Sequence, residues 1–270
     1  MKRSVLWLVA ALVSVLATVL VCFPASWLAA AVERQTDGRL TLGDAEGTLW
    51  SGSAFIGGAA SAGGVVTPLL PGRFAWRVSP LVLVGLVDVR LDNGAALTQP
   101  VNLRGSWSQW QLSPSALRLP AEGLAGLGAP LNTLAPSGRM QLSWSALQLT
   151  LLRAGQGGQG GQNKAPPQLD LQGRTTLEMA DMASRLSPIR PLGSYEMALD
   201  WHGQVAQLTL RSIKGPLLLD GSGTLDHGRL RFSGQAQAAA GYEETLANLL
   251  NLLGQRRRDS DKNIIGLEFR

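Results

Sequence analysis

The feature that most constrains this chain is an alternation of apolar and polar residues with period two. It sets in after Asp37 and recurs to the C-terminus. Successive side chains of a strand point to opposite faces, so this pattern marks strands with one face buried. Phe74-Ala-Trp76-Arg-Val78, Val87-Asp-Val89-Arg-Leu91, Met140-Gln-Leu142-Ser-Trp144 and Tyr195-Glu-Met197-Ala-Leu199-Asp-Trp201 are clear examples. Residues 40–56, 101–112, 169–171, 208–210, 217–225, 230–234 and 264–269 extend the pattern to about a dozen strands, more than the usual 4–6 or so of one sheet.

The alternation changes phase in places. Val101, Leu103 and Trp107 are odd-numbered, whereas Trp110 and Leu112 are even. Residues 140–146 follow the even phase, then Leu147, Leu149 and Leu151 the odd one. One extra residue in a long strand, a β-bulge, produces such a slip. Glycines fall inside the same segments (Gly47, Gly52, Gly105, Gly173, Gly221, Gly223, Gly234) and permit sharp bends. Bulges, glycines and long strands together predict an all-β domain built on a strongly curved antiparallel sheet, an open trough or an incomplete barrel. In this reading Trp50, flanked by Gly47 and Gly52, is a core residue of a long first strand. The rival reading makes it an exposed anchor for a partner strand. An outer-membrane barrel is excluded: its strands need about nine to eleven residues of lipid-facing alternation, and the runs here are often shorter.

Two helices are expected in the body. One covers 121–127, between Pro120 and Pro130. The other covers 242–253, where Leu246, Leu249, Leu250 and Leu253 share one helical face and Glu243 and Glu244 sit in the first turn. The second plugs one end of the sheet. Residues 154–167, rich in Gly and Gln, read as a flexible, dispensable loop inside a single domain.

The N-terminus differs in kind. Residues 4–23 carry no charge, and at 1.5 Å per residue they span roughly 30 Å, the thickness of a bilayer's hydrocarbon core. Lys2 and Arg3 precede them, and the positive-inside rule keeps those charges cytoplasmic. The expected topology is therefore residues 1–3 cytoplasmic, 4–23 a transmembrane helix and 24–270 a periplasmic β domain: a single-pass inner-membrane protein. A signal peptide cleaved near residues 29–31 is the competing reading, but its apolar run is usually shorter. Cys22 follows Val21 where a lipoprotein signal needs a small residue, so it reads as part of the helix.

Little in the body points to chemistry. The net charge of +5 includes Lys2 and Arg3, and no basic groove interleaved with aromatics is present, so a nucleic-acid partner is not expected. Gly155-Gln-Gly157-Gly-Gln-Gly160 spells a dinucleotide fingerprint, but Pro166 and Pro167 follow where a helix must start. No G-x-S-x-G, Walker A or H-E-x-x-H sequence occurs. His202 at a strand end and His227 in an Asp-His-Gly turn read as surface residues, and the body's six tryptophans as filling of a thin core. No catalytic, cofactor-binding or metal residue is assigned, no cofactor is expected, and the chain is not expected to be an enzyme.

Several segments, in order, carry a resemblance. Pro24-Ala-Ser-Trp-Leu28 follows the apolar run. Ala45-Glu-Gly-Thr-Leu-Trp-Ser-Gly-Ser-Ala54 comes next, then Leu70-Pro-Gly-Arg-Phe-Ala-Trp76. Lys214-Gly-Pro-Leu-Leu-Leu-Asp-Gly-Ser-Gly223, Phe232-Ser-Gly-Gln-Ala236 and Asn251-Leu-Leu-Gly-Gln-Arg256 close the series. This order resembles the protein N family of the type II secretion system, the general secretion pathway of Gram-negative bacteria. The resemblance implies an accessory, non-catalytic inner-membrane component of the machine that exports folded proteins. Its partners would be the inner-membrane platform proteins and the outer-membrane secretin. On fold class alone the chain is also similar to the curved β domains of AsmA- and LptC-type envelope proteins. That likeness implies an alternative function, binding or transfer of a lipid or other hydrophobe in a trough lined by leucine and tryptophan.

Overall fold

The computed structural model of the chain describes residues 2–59, 64, 66–123, 135–152, 168–253, 255–256 and 264–269. It is mostly β: an open, curved antiparallel sheet with two N-terminal helices and a short C-terminal one. The helices α1 (Lys2–Val21) and α2 (Ala25–Gln35) come first. The strands β1 (Leu40–Gly47), β2 (Ser51–Gly58), β3 (Thr67–Pro68), β4 (Phe74–Val78), β5 (Leu86–Asp92), β6 (Val101–Ser106), β7 (Gln109–Leu112) and β8 (Ser115–Pro120) follow. Next are β9 (Ser137–Trp144), β10 (Leu147–Leu152), β11 (Gln168–Ala183), β12 (Gly193–Gly203), β13 (Val205–Lys214), β14 (Leu217–Asp226) and β15 (Arg229–Ala238). Helix α3 (Glu243–Leu253), β16 (Gln255–Arg256) and β17 (Ile264–Phe269) complete the chain.

Among the described residues all 17 strands belong to one sheet. Its spine runs β1–β2–β4–β5–β6–β7–β10–β11–β12–β13–β14–β15–β17, antiparallel at every step. Short β3 and β16 extend β2 and β17, and β8 and β9 form a branch alongside the second half of β11. Among the described residues β1 and β17 do not pair, so the sheet stays open. Openness, not strand length, is what separates it from an outer-membrane barrel, which has no free edge. Strands β11 to β15 run from 10 to 16 residues, longer than the sequence pattern shows.

The phase slip at 146–147 is a kink. The even-phase run is β9 and the odd-phase run β10. Both pair with the same edge of β11, which bends opposite the break at Gly173 (φ +132°). The slip between Leu103 and Trp110 has another cause. Leu103 pairs with Leu112, so β6 and β7 form a hairpin and Trp107 lies at its tip. Ser106 Oγ accepts from the Ser108 and Gln109 amides and closes this turn. Residues 40–56 are likewise two strands. Gly47 (φ +85°) ends β1, and Thr48 to Trp50 turn the chain into β2.

Trp50 is therefore no core residue: it is half-buried in a turn, and its Nε1 donates to Leu20 O at 2.7 Å. The buried indole is that of Trp76, whose Nε1 donates to Thr48 O and Leu49 O at 3.2 and 3.1 Å. A Cβ at Gly52 would lie 2.5 Å from the Trp76 ring and 2.6 Å from Glu46 O, so only glycine fits there.

Among the described residues two clusters form the core, one at each end of the inner face. At the N-terminal end, Ala25 and Leu28 of α2 pack on Ala54, Trp76, Val78 and Leu91. At the other end, Leu246, Leu249 and Leu250 of α3 pack on Leu208, Leu217, Phe232, Ile265 and Leu267. This is the plug that the Leu spacing predicts. The expected helix 121–127 lies mostly outside the described residues, and the loop 154–167 lies wholly outside them. Helix α2 is not foreseen by the sequence reading.

The apolar run at the N-terminus does form a helix, over Lys2–Val21. Among the described residues, however, no helix is long and apolar enough to cross a membrane. In place of the expected transmembrane helix over 4–23 the fold itself shows a helix over Lys2–Val21 with Trp7, Leu12, Val15 and Val21 exposed.

Candidate functional site

The two histidines stand apart. His227 is exposed in the β14–β15 hairpin, with Nδ1 against the neighbouring Asp226 Oδ1. His202 is exposed at the end of β12. It borders a surface depression of about 480 Å³ lined by Asp170, Gln172, Gly173, Trp201, His202 and Gly203. Asp170 Oδ1 is buried there without a hydrogen-bond partner. An acid and a histidine thus share a hollow, but its lining supplies no hydroxyl, thiol or amine nucleophile. Among the described residues no group of three or more His, Cys, Asp or Glu is placed to hold a metal.

The charged side chains of the long strands form cross-strand pairs. Arg174 donates to both carboxylate oxygens of Asp200, at 2.5 and 2.9 Å, and this bidentate contact holds the Asp200 carboxyl below its usual range. Arg139 and Lys214 converge on Asp181 and lower it in the same way. Tyr195 is buried, and its hydroxyl donates to Leu217 O at 3.0 Å; burial pushes that hydroxyl far above the ordinary tyrosine value. These arrangements fasten neighbouring strands and converge on no common point.

What remains is the inner face. Between the α2 and α3 ends, Val89, Leu103, Leu112, Leu147, Leu171 and Trp201 follow one another across β5, β6, β7, β10, β11 and β12, on the side that carries both core clusters. Leu147 is buried, but the others are only half-buried. A sheet face that packs on nothing leaves its side chains in this state. Trp110, Trp144 and Trp201 are also half-buried, so of the body's tryptophans Trp76 alone fills a core.

One rim of the sheet has a distinct character. Leu49 N donates to Phe23 O, which ties the β1–β2 turn to the link between the two N-terminal helices. Val78 N donates to Trp50 O and carries the contact to the end of β4. Immediately after it, Pro80–Val84 forms a one-turn 3-10 helix. The same ends of the following strands carry the β6–β7, β12–β13 and β14–β15 turns. Leu81, Leu83, Val84, Leu86 and Trp107 are exposed along this rim, and Leu152, Leu169, Val205 and Leu230 continue it.

Sequence reasoning foresaw the strands and, as its alternative, a trough lined by leucine and tryptophan, but not the exposed rim. Position at a rim and cover by a helix are properties of strand order, which alternation does not encode.

A model of the type II secretion system, protein N, family matches residues 38–263, most of the chain. Comparison with curated proteins and with solved structures returns no match.

Proposed function

Because the chain belongs to the type II secretion system protein N family, we propose that it acts as an accessory, non-catalytic interaction subunit of that machine. In this reading the N-terminal apolar segment, residues 4–23, holds it in the inner membrane with residues 1–3 cytoplasmic and the sheet in the periplasm. The family match over 38–263 carries the proposal. The exposed apolar side chains of α1 and the charges at Lys2 and Arg3 support the anchor and its orientation. An open sheet also offers edges at β1 and at the part of β17 that the short β16 leaves uncovered, and a partner strand can add to such an edge. Contact with the platform proteins and the secretin follows from this reading.

The test is a chromosomal deletion complemented by the full chain. Secreted enzymes should accumulate in the periplasm without the protein and reach the medium with it. Export unchanged by the deletion would remove the proposed role.

A second reading, binding of a lipid or other hydrophobe, is favoured by one observation: the middle of the inner face is apolar and uncovered. Purified protein should then carry co-extracted lipid detectable by mass spectrometry. A Leu103→Glu/Leu171→Glu variant that still folds should lose it.

A further inference from the structure

The turn between β4 and β5 is exposed where a soluble surface has no use for it. Residues 78–87 read Val-Ser-Pro-Leu-Val-Leu-Val-Gly-Leu-Val, ten positions without a charge. Within them Val84 is 73% exposed and Leu81, Leu83 and Leu86 are each half exposed or more. Trp107, at the tip of the next hairpin, is 57% exposed and leans against the same turn, its Nε1 donating to Val82 O at 2.7 Å. A contiguous exposed patch of this kind marks a surface that is covered by something.

We propose that the Pro80–Val84 turn and the Trp107 tip dip into the lipid bilayer that receives α1, seating one rim of the sheet on the membrane. This rests on the anchor reading given above. Three observations select a bilayer as the occupant. First, position: the hydrogen bonds Trp50 Nε1 to Leu20 O and Val78 N to Trp50 O run without a gap from the end of α1 to the start of the turn. Second, satisfaction of polar groups: Leu81 N donates to Ser79 Oγ, Val82 N to Ser79 O and Gly85 N to Val82 O, and the Trp107 indole N–H is taken as well. A loop can enter the interfacial apolar layer only when its backbone donors are met internally. Third, charge: exposed Arg77, Arg90 and Arg104 flank the patch, against Asp88, at the height where anionic lipid headgroups would lie. Aliphatic residues and Trp below and arginine above are the composition of an interfacial segment.

The test uses the full chain with Cys22→Ser, so that single cysteines at Val84, Ile213 or Val15 take an environment-sensitive fluorophore. Ile213 is as exposed as Trp107 but lies at the opposite rim, next to Lys214, which pairs with Ser194. Each labelled protein is reconstituted into vesicles of phosphatidylethanolamine and phosphatidylglycerol, with and without brominated acyl chains. The expected result is quenching at Val84 several-fold greater than at Ile213, with blue-shifted emission, and strong quenching at Val15. A probe at Val84 no more quenched than one at Ile213, with Val15 still quenched, overturns the inference and leaves the anchor standing. An unquenched Val15 overturns the anchor itself. Quenching at Val84 that appears only when the protein is diluted in lipid would assign the patch to a second copy of the chain, and would overturn the proposal too.

Discussion

Gly52→Ala is the sharpest probe of how the N-terminal end of the sheet is held. The new Cβ would sit 2.5 Å from Trp76 Cζ2, 2.6 Å from Glu46 O and 2.9 Å from Thr48 O. Two of those atoms are backbone, so rotating a side chain cannot relieve the clash, and overpacking of this kind costs about 1–3 kcal/mol. The same indole can be attacked directly. Trp76 is only 9% exposed. A buried Trp removes roughly 200 Å² from water, which at about 25 cal/mol per Å² gives an upper value near 5 kcal/mol. Trp76→Ala should therefore cost about 3–5 kcal/mol. Trp76→Phe keeps most of the ring and loses the donor shared by Thr48 O and Leu49 O, for about 1 kcal/mol. Trp50→Ala is the control: a half-buried ring in a turn with one hydrogen bond, again about 1 kcal/mol. Thermal unfolding of the full chain in detergent, followed by circular dichroism, reads all four, at about 2–4 °C per kcal/mol for a domain of this size. A silent Gly52→Ala, or a Trp50→Ala as damaging as Trp76→Ala, would refute this description of the hairpin.

Other outcomes follow from the same structure. Leu246 of α3 is fully buried against the sheet, so Leu246→Ala should cost about 2–5 kcal/mol in urea unfolding and raise protease sensitivity; a change under about 1 kcal/mol would mean that the helix is not the plug of the sheet. Asp181 and Asp200 have folded-state values below the usual carboxylate range. Their pairs therefore contribute stability above the unfolded value, and that contribution is lost as pH falls through the lowered folded value. Arg174→Gln should flatten the acid limb of a stability–pH curve, modestly because the pair is exposed to solvent; an unchanged limb would count against it. Shortening residues 155–162 should leave the melting temperature nearly unchanged, because loop closure depends only logarithmically on length, and a large drop would show that the segment packs.

The body of the fold was legible because alternation reports which side of a strand is wet. Met140 to Trp144 and Tyr195 to Trp201 form strands as the period demands. The Leu246, Leu249, Leu250 face packs as its helical spacing demands. Reading failed where a local hydrogen bond redirects the chain inside an unbroken pattern. Ser106 Oγ turns β6 into β7, and Thr48 with Gly47 turns β1 into β2. Both turns carry a tryptophan, and in an alternating run an exposed Trp at a tip is indistinguishable from a buried one in a strand. Trp50, Trp76 and Trp107 look alike in the sequence, and of the three only Trp76 is buried, in the cluster to which α2 contributes Ala25 and Leu28. The hollow that Asp170 and His202 line together was not legible, because it depends on which strands lie side by side, here β11 and β12.

Participation in type II secretion is tested most directly by photocrosslinking in living cells. A photoreactive amino acid would be placed singly at exposed positions on β1, on the Pro80–Val84 turn and at Ile213, with adducts identified by mass spectrometry. The expected result is adducts with inner-membrane platform proteins or the secretin from a sheet edge, and lipid or no protein adduct from the turn. Adducts from every position that contain no secretion component, in cells actively exporting, would contradict it.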